Sequence, residues 1–188
     1  ETSPGSELAR VLGLDKPVER IEGIDISNTA GDESVGSLVV FNHGQPNKAQ
    51  YRKYLIKTVS GPDDFASIRE VLSRRLRRLI AENKPLPDLI FIDGGKGQLG
   101  VALRVMAELN LNLIPVCSLA KKEEIIFSSA HPEGLRLDPT SGALKLLQQV
   151  RDEAHRFAVG FHRQRRAKKS FSSELDGIPG LGPAGKKK

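Results

Sequence analysis

The sequence predicts an α/β fold: a mixed sheet in which an antiparallel three-strand meander joins buried parallel strands, with helices flanking it. Three observations carry the prediction. Three strand-like segments joined by short turns succeed one another over 18–59, the first with apolar–polar alternation. Helical spacing takes over at 65–80 and again at 142–169. Two short, almost wholly apolar runs, at 88–93 and 114–120, lie between the helical segments.

Residues 1–17 read as a leader with one weak helical turn. A first strand is expected at 18–27, a second at 35–42 (VGSLVVFN) and a third at 49–59 (AQYRKYLIKTV), with HGQPN turning between the last two. Short turns between successive strands predict the antiparallel meander. Gly-Pro-Asp-Asp at 61–64 then signals a helix start, because either aspartate can cap and both suit the positive end of the helix dipole. Phe65, Ile68, Leu72, Leu76, Leu79 and Ile80 recur at helical spacing, and Arg74, Arg75, Arg77 and Arg78 crowd the other positions. Lys84-Pro85 and Pro87 end that helix.

DLIFID at 88–93 is apolar enough for a strand buried on both faces. GGKG turns into a helix over 98–109, and an apolar strand follows at 114–120. That βαβ alternation implies a parallel pair. Segments 124–128 and 135–138 suit a hairpin. A long helix is expected over 142–169, with Leu146, Leu147, Val150, Ala154, Phe157, Ala158 and Phe161 as its apolar stripe. Meander, helix, strand, helix, strand, helix is the order of a ribonuclease-H-like sheet. The expected division is a leader or linker at 1–17, one domain at 18–170, and a linker with the start of a further module at 171–188.

Composition narrows the partners. The net charge is +6 and the sequence pI about 9.5, a balance that favours a polyanion, chiefly nucleic acid. Trp is absent and aromatics are 5%, which argues against a carbohydrate cleft. Cys117 is the one cysteine and sits in an apolar run, so it reads as a core residue of a cytosolic protein. No apolar run approaches the ~20 residues of a membrane span, and no membrane partner is expected.

Asp25 and Asp93 end the apolar parts of the first and fourth strands, which lie side by side in such a sheet. A strand-terminal Asp commonly closes a turn. Two together repel unless a proton or cation sits between them, and Mg²⁺ or Mn²⁺ resolves that repulsion. His155 lies on the helix expected beside this edge, where it suits ligation of the metal or general-base work toward water. Asp152 shares its helix face and is expected to orient the ring. Lys96, in the Gly-rich turn after Asp93, suits a DNA phosphate, or the glycines only permit a tight turn. Arg163, Arg165, Arg166, Lys168 and Lys169 follow the histidine, and their density suits contact with the DNA backbone. The letters DEAH also occur in a helicase motif, but no G-x-x-x-x-G-K-[ST] loop accompanies them here.

The blocks RIEGIDIS, VGSLVVF, YRKYLIKTV with GPDDFA, PDLIFIDGGKGQL, LAKKEEIIF, LLQQVRDEAHRFAVGFHRQRR and LDGIPGLGP occur in that order. In this the chain resembles the C-terminal endonuclease part of the UvrC family of bacterial nucleotide-excision repair. The resemblance implies a ribonuclease-H-like nuclease that cuts 5′ to a DNA lesion, with a metal-dependent Asp-Asp-His site falling on Asp25, Asp93 and His155. It adds Asp64, in the GPDDFA block, to the catalytic set. Damaged double-stranded DNA is the implied substrate. UvrB, with UvrA upstream, is the implied partner, acting through parts of the family's chain that this sequence does not contain. Residues 176–188 resemble the first hairpin of a helix-hairpin-helix DNA-binding domain. Two positions depart from the family pattern: Gly23 stands where Cys is frequent, and Asn28 where His is frequent. Two rival readings stay open: a DNA-binding scaffold whose carboxylates only close turns, and another ribonuclease-H-like nuclease acting alone.

Overall fold

The computed structural model describes residues 2–28, 34–59, 61 and 63–176, with the backbone alone at 162, 165, 169 and 172–176. The chain runs through helix α1 (Pro4–Leu12), strands β1 (Arg20–Asn28), β2 (Ser34–Asn42), β3 (Gln45–Pro46) and β4 (Arg52–Leu55), and helix α2 (Asp64–Ala81). Strand β5 (Leu89–Asp93), helix α3 (Lys96–Glu108), strands β6 (Val116–Ala120), β7 (Ile125–Ser128) and β8 (His131–Leu135), and helix α4 (Gly142–Asp176) complete it. The strands form one sheet ordered β3-β2-β1-β5-β6-β7-β8, with β4 also on β2. β1, β5 and β6 are parallel to one another, and the remaining pairs are antiparallel.

Side-chain alternation divides the core in two. Ile21, Val39, Phe41, Leu89 and Phe91 face α1 and α4, while Ile24, Leu38, Ile90 and Ile92 face α2 and α3. Burying both faces is what the apolar runs of β5 and β6 require. Cys117 belongs to this core, and burial pushes its thiol up to about 12, so it is an inert packing residue. Among the described residues no helix is long and apolar enough to cross a membrane.

Four expectations are corrected. The leader is not one weak turn but a capped helix: Ser3 caps the N-terminus, Gly13 closes the C-terminus at φ 70°, and Leu8, Ala9 and Leu12 are buried against α4. Ser141 Oγ donates to Glu7 Oε1 at 2.9 Å, tying α1 to the start of α4. The expected third strand shrinks to Arg52–Leu55, because residues 48–50 wind into a 3₁₀ turn and the chain after Leu55 bends toward α2. There the Glu70 carboxylate accepts the Lys57 and Thr58 N–H groups at 3.0 and 2.7 Å, bonds that would otherwise continue the ladder. The hairpin's second strand is His131–Leu135, earlier than expected, since Asp138 instead closes its own turn by accepting from Thr140. Arg75 does not join the exposed arginines of α2. It is buried, donating through Nε to Glu22 Oε1 at 2.7 Å.

Asp63, not Asp64, is the cap of α2, accepting from Ala66 N at 3.1 Å. Gly23 lies under α4: a Cβ there would stand 2.5 Å from Val150 Cγ1, so a larger residue would require Val150 to shift. The expected helix-hairpin-helix start, from 177 on, lies outside the described residues.

Candidate active site

Register brings the two carboxylates together. β1 and β5 run parallel with Ile24 opposite Ile92, so Asp25 and Asp93 are the next pair along, on the face of the sheet toward α4. Both side chains are almost completely buried, at 9% and 3% exposed. Asp93 Oδ1 is buried without a hydrogen-bond partner. Leaving such an oxygen unpaired is costly, and a built site usually supplies it with something cationic.

The electrostatics follow from that proximity. Burial first, then the charge of Asp93, raises Asp25 to about 7 from its ordinary 3.8. Burial raises Asp93 as well, against the pull of Lys121. The two carboxyls lie close enough to share a proton near neutral pH, and the titration belongs to the pair. Between pH 3.8 and about 7 the folded chain keeps a proton that the unfolded chain has released, so this pair makes stability fall as pH rises through that window. Glu70 acts oppositely: its burial is outweighed by the bonds from Thr58 and Lys57, which hold its carboxyl low. The comparison is therefore of wild type with Asp25→Asn, in thermal melts in EDTA from pH 4 to 8. Asn should gain on wild type as pH rises, by on the order of a few kcal/mol.

His155, on α4, presents Nδ1 3.8 Å from Asp25 Oδ2, with its side chain 68% exposed. Asp152 lies on the same cavity wall, but its described hydrogen bond is to Arg151 Nε at 3.2 Å, not to the imidazole. Asp64 is exposed at the start of α2, where Asn28 Nδ2 donates to its Oδ1 at 3.4 Å. Its charge is near enough to contribute to the raised Asp25. The Gly-rich turn after β5 closes on itself: Gly94 has φ 154°, and Gly95 N–H donates to Gln98 Oε1 at 3.1 Å. Lys96 points to Glu133 at 3.7 Å. Arg163, Arg166 and Lys168 are exposed along α4, whereas the side chains of Arg165 and Lys169 lie outside the described ones.

Sequence reasoning missed three residues. Asp93, Lys121, Glu124, Arg151, Asp152 and His155 line a cavity of about 330 Å³. Lys121 Nζ is 4.0 Å from Asp93 Oδ2, and Arg151 is held by the Glu124 carboxylate at 3.0 and 3.1 Å. The available signal for Lys121 was its place directly after an apolar strand that neighbours Asp93.

The donor set fits a hard divalent cation: two buried carboxylates, one oxygen unpartnered, opening on a polar cavity. Among the described residues no group of three or more His, Cys, Asp or Glu side chains is gathered closely enough to hold an ion unaided. Water and substrate oxygens would complete the shell, as is usual for Mg²⁺.

Comparison with known proteins gives consistent matches. A family model described as the UvrC RNAse H endonuclease domain matches residues 9–159. The UvrABC system protein C of Porphyromonas gingivalis is 52% identical over 172 residues, covering 91% of this chain and 29% of that protein. That of Gemmatimonas aurantiaca is 50% identical over 180 residues, covering 96% of this chain and 29% of that protein. The chain thus spans less than a third of the length of these relatives. Among solved structures, Ciona intestinalis Endonuclease V with an inosine-containing DNA aligns at TM-score 0.42 and 18% identity, over 55% of this chain and 46% of that one.

Proposed function

The chain belongs to the UvrC RNase H endonuclease domain family, and from that premise we propose that it hydrolyses a DNA phosphodiester 5′ to a lesion, at Asp25 and Asp93. The observation that carries the proposal is the buried carboxylate pair with its unpartnered Asp93 oxygen, at the rim of a cavity also lined by Lys121, Arg151 and His155.

In this reading Asp25 and Asp93 hold Mg²⁺ or Mn²⁺, with His155 a further ligand or the base. A histidine in the set suits Mn²⁺. When bound, the ion polarises the phosphoryl oxygen and lowers the pKa of water. The protein's own groups do the rest. As general base, His155 accepts the proton of the attacking water at Nδ1, the ring nitrogen facing Asp25. Lys121 and Arg151 offset charge on the phosphate, and Glu124 keeps the guanidinium aimed into the cavity. Asp152 acts through Arg151. Asp64, tethered by Asn28, completes the acidic edge. Lys96, Arg163, Arg165, Arg166, Lys168 and Lys169 neutralise flanking phosphates.

The proposed substrate is damaged duplex DNA, presented by UvrB after UvrA in the cytoplasm. The relatives' shared name, UvrABC system protein C, supports that assembly. The domain at 18–170, with α1 packed on it, carries the chemistry, and the sequence from 177 on resembles the start of a DNA-binding hairpin. The test is nicking of supercoiled plasmid, and of lesion-bearing against undamaged duplex, in Mn²⁺, Mg²⁺ or EDTA. Cleavage with either metal and none in EDTA is expected. Equal cleavage in EDTA would contradict the proposal.

A further inference from the structure

The sheet register places one more cation in line with the carboxylate pair. Asp25 pairs with Ser37 on β2, and Ser37 pairs with Lys53 on β4. Directly opposed residues share a face of the sheet. Lys53 therefore stands on the α4 face in the row of Asp25, two strand spacings away, or about 10 Å. On the other flank Leu119 of β6 is opposite Asp93, and Lys121, just past the end of that strand, brings its Nζ within 4.0 Å of Asp93 Oδ2. A chain crossing the carboxylates perpendicular to the strands meets a lysine on each side.

Lys53 is exposed, yet it is held in place. Its Nζ lies 4.6 Å from the Phe161 ring centroid and 5.1 Å from that of Phe157, and donates to Gln164 Oε1 at 3.3 Å. Phe157, Phe161 and Gln164 are spaced to share one face of α4. Tyr51 supports the cage: its ring is 5.1 Å from that of Phe157, and its hydroxyl donates to Glu153 Oε1 at 3.1 Å. The aromatic faces hold the ammonium by cation–π attraction while leaving it open to solvent on one side. A lysine ordinarily loses side-chain entropy when it captures a phosphate, and here part of that loss is already incurred in the free protein.

We propose that Lys53, caged by Phe157, Phe161 and Gln164, binds a backbone phosphate flanking the scissile one and so sets the path of the cut strand across the site. This rests on the nuclease reading of Asp25 and Asp93. Binding without cleavage separates the two. Affinity for a short duplex is measured in EDTA across a salt series for wild type, Lys53→Met, Lys53→Arg and Lys16→Met. Lys16 is exposed and precedes β1, at the end of the sheet away from Asp25. Losing one phosphate contact should make the log–log salt slope shallower by about 0.7–0.9 in Lys53→Met, while Lys53→Arg and Lys16→Met keep the wild-type slope. An unchanged slope in Lys53→Met, with or without a lower melting temperature, would show that the cluster only staples α4 to the sheet and would overturn the proposal. An equal change in Lys16→Met would overturn it too. A chain that binds no Mn²⁺ at Asp25 and Asp93 but shows the Lys53 effect would refute the nuclease reading and leave the phosphate contact standing.

Discussion

Asp93→Asn is expected to remove metal-dependent nicking by roughly a thousandfold or more, the several kcal/mol that a positioned metal contributes at about 1.4 kcal/mol per decade. The same change should leave the fold intact. Asn is isosteric, and it removes the like charge that helps raise Asp25. Metal-free Asp93→Asn should therefore melt no lower than wild type at pH 7, and higher if repulsion dominates the pair. Activity falls while stability does not, which separates loss of chemistry from unfolding. Asp25→Asn should behave alike. An Asp93→Asn chain that nicks plasmid at the wild-type rate would remove the pair from the mechanism.

The second large effect concerns stability. Glu22, 2% exposed, accepts from Arg75 Nε at 2.7 Å and from Arg20 Nε at 3.2 Å. Arg75→Met leaves the carboxylate buried with one partner, and breaking such a pair typically costs about 3–5 kcal/mol. Urea unfolding should show that loss. Replacing both partners, Glu22→Leu with Arg75→Met, should restore much of it, because no charge is then stranded. Glu22 precedes Asp25 by three residues on β1, an odd step in the strand's two-residue alternation, so it faces α2 where Asp25 faces α4. The pair thus pins the strand that carries the catalytic candidate. A double variant as unstable as Arg75→Met alone would contradict this account of the pair.

Much of this was legible in the sequence because it depends on local pattern. The apolar runs of β5 and β6 could be buried only as central strands, and that topology by itself brings Asp25 and Asp93 to one edge. His155 was legible from its place on the closing helix. What escaped depends on tertiary partners. Pro4–Leu12 is too short to be stable as an isolated helix and draws its order from the groove it fills beside α4. Arg75 looks like its neighbours in α2 until Glu22 is placed opposite it. Thr58 and Lys57 fit a strand pattern, but Glu70 offers their backbone a competing acceptor. The pairing of Arg151 with Glu124 joins segments far apart in the chain, and so does the caging of Lys53 by α4.

The most direct measurement is a calorimetric Mn²⁺ titration of the chain at pH 7, in buffers of different ionisation enthalpy, for wild type and Asp25→Asn. A metal that replaces the shared proton of Asp25 and Asp93 releases that proton to the buffer, so the wild-type heat should vary with the buffer. Asp25→Asn should bind far more weakly, with little buffer dependence. Equal Mn²⁺ binding by both chains, or none by wild type, would contradict the assignment of this carboxylate pair as a metal-dependent nuclease site.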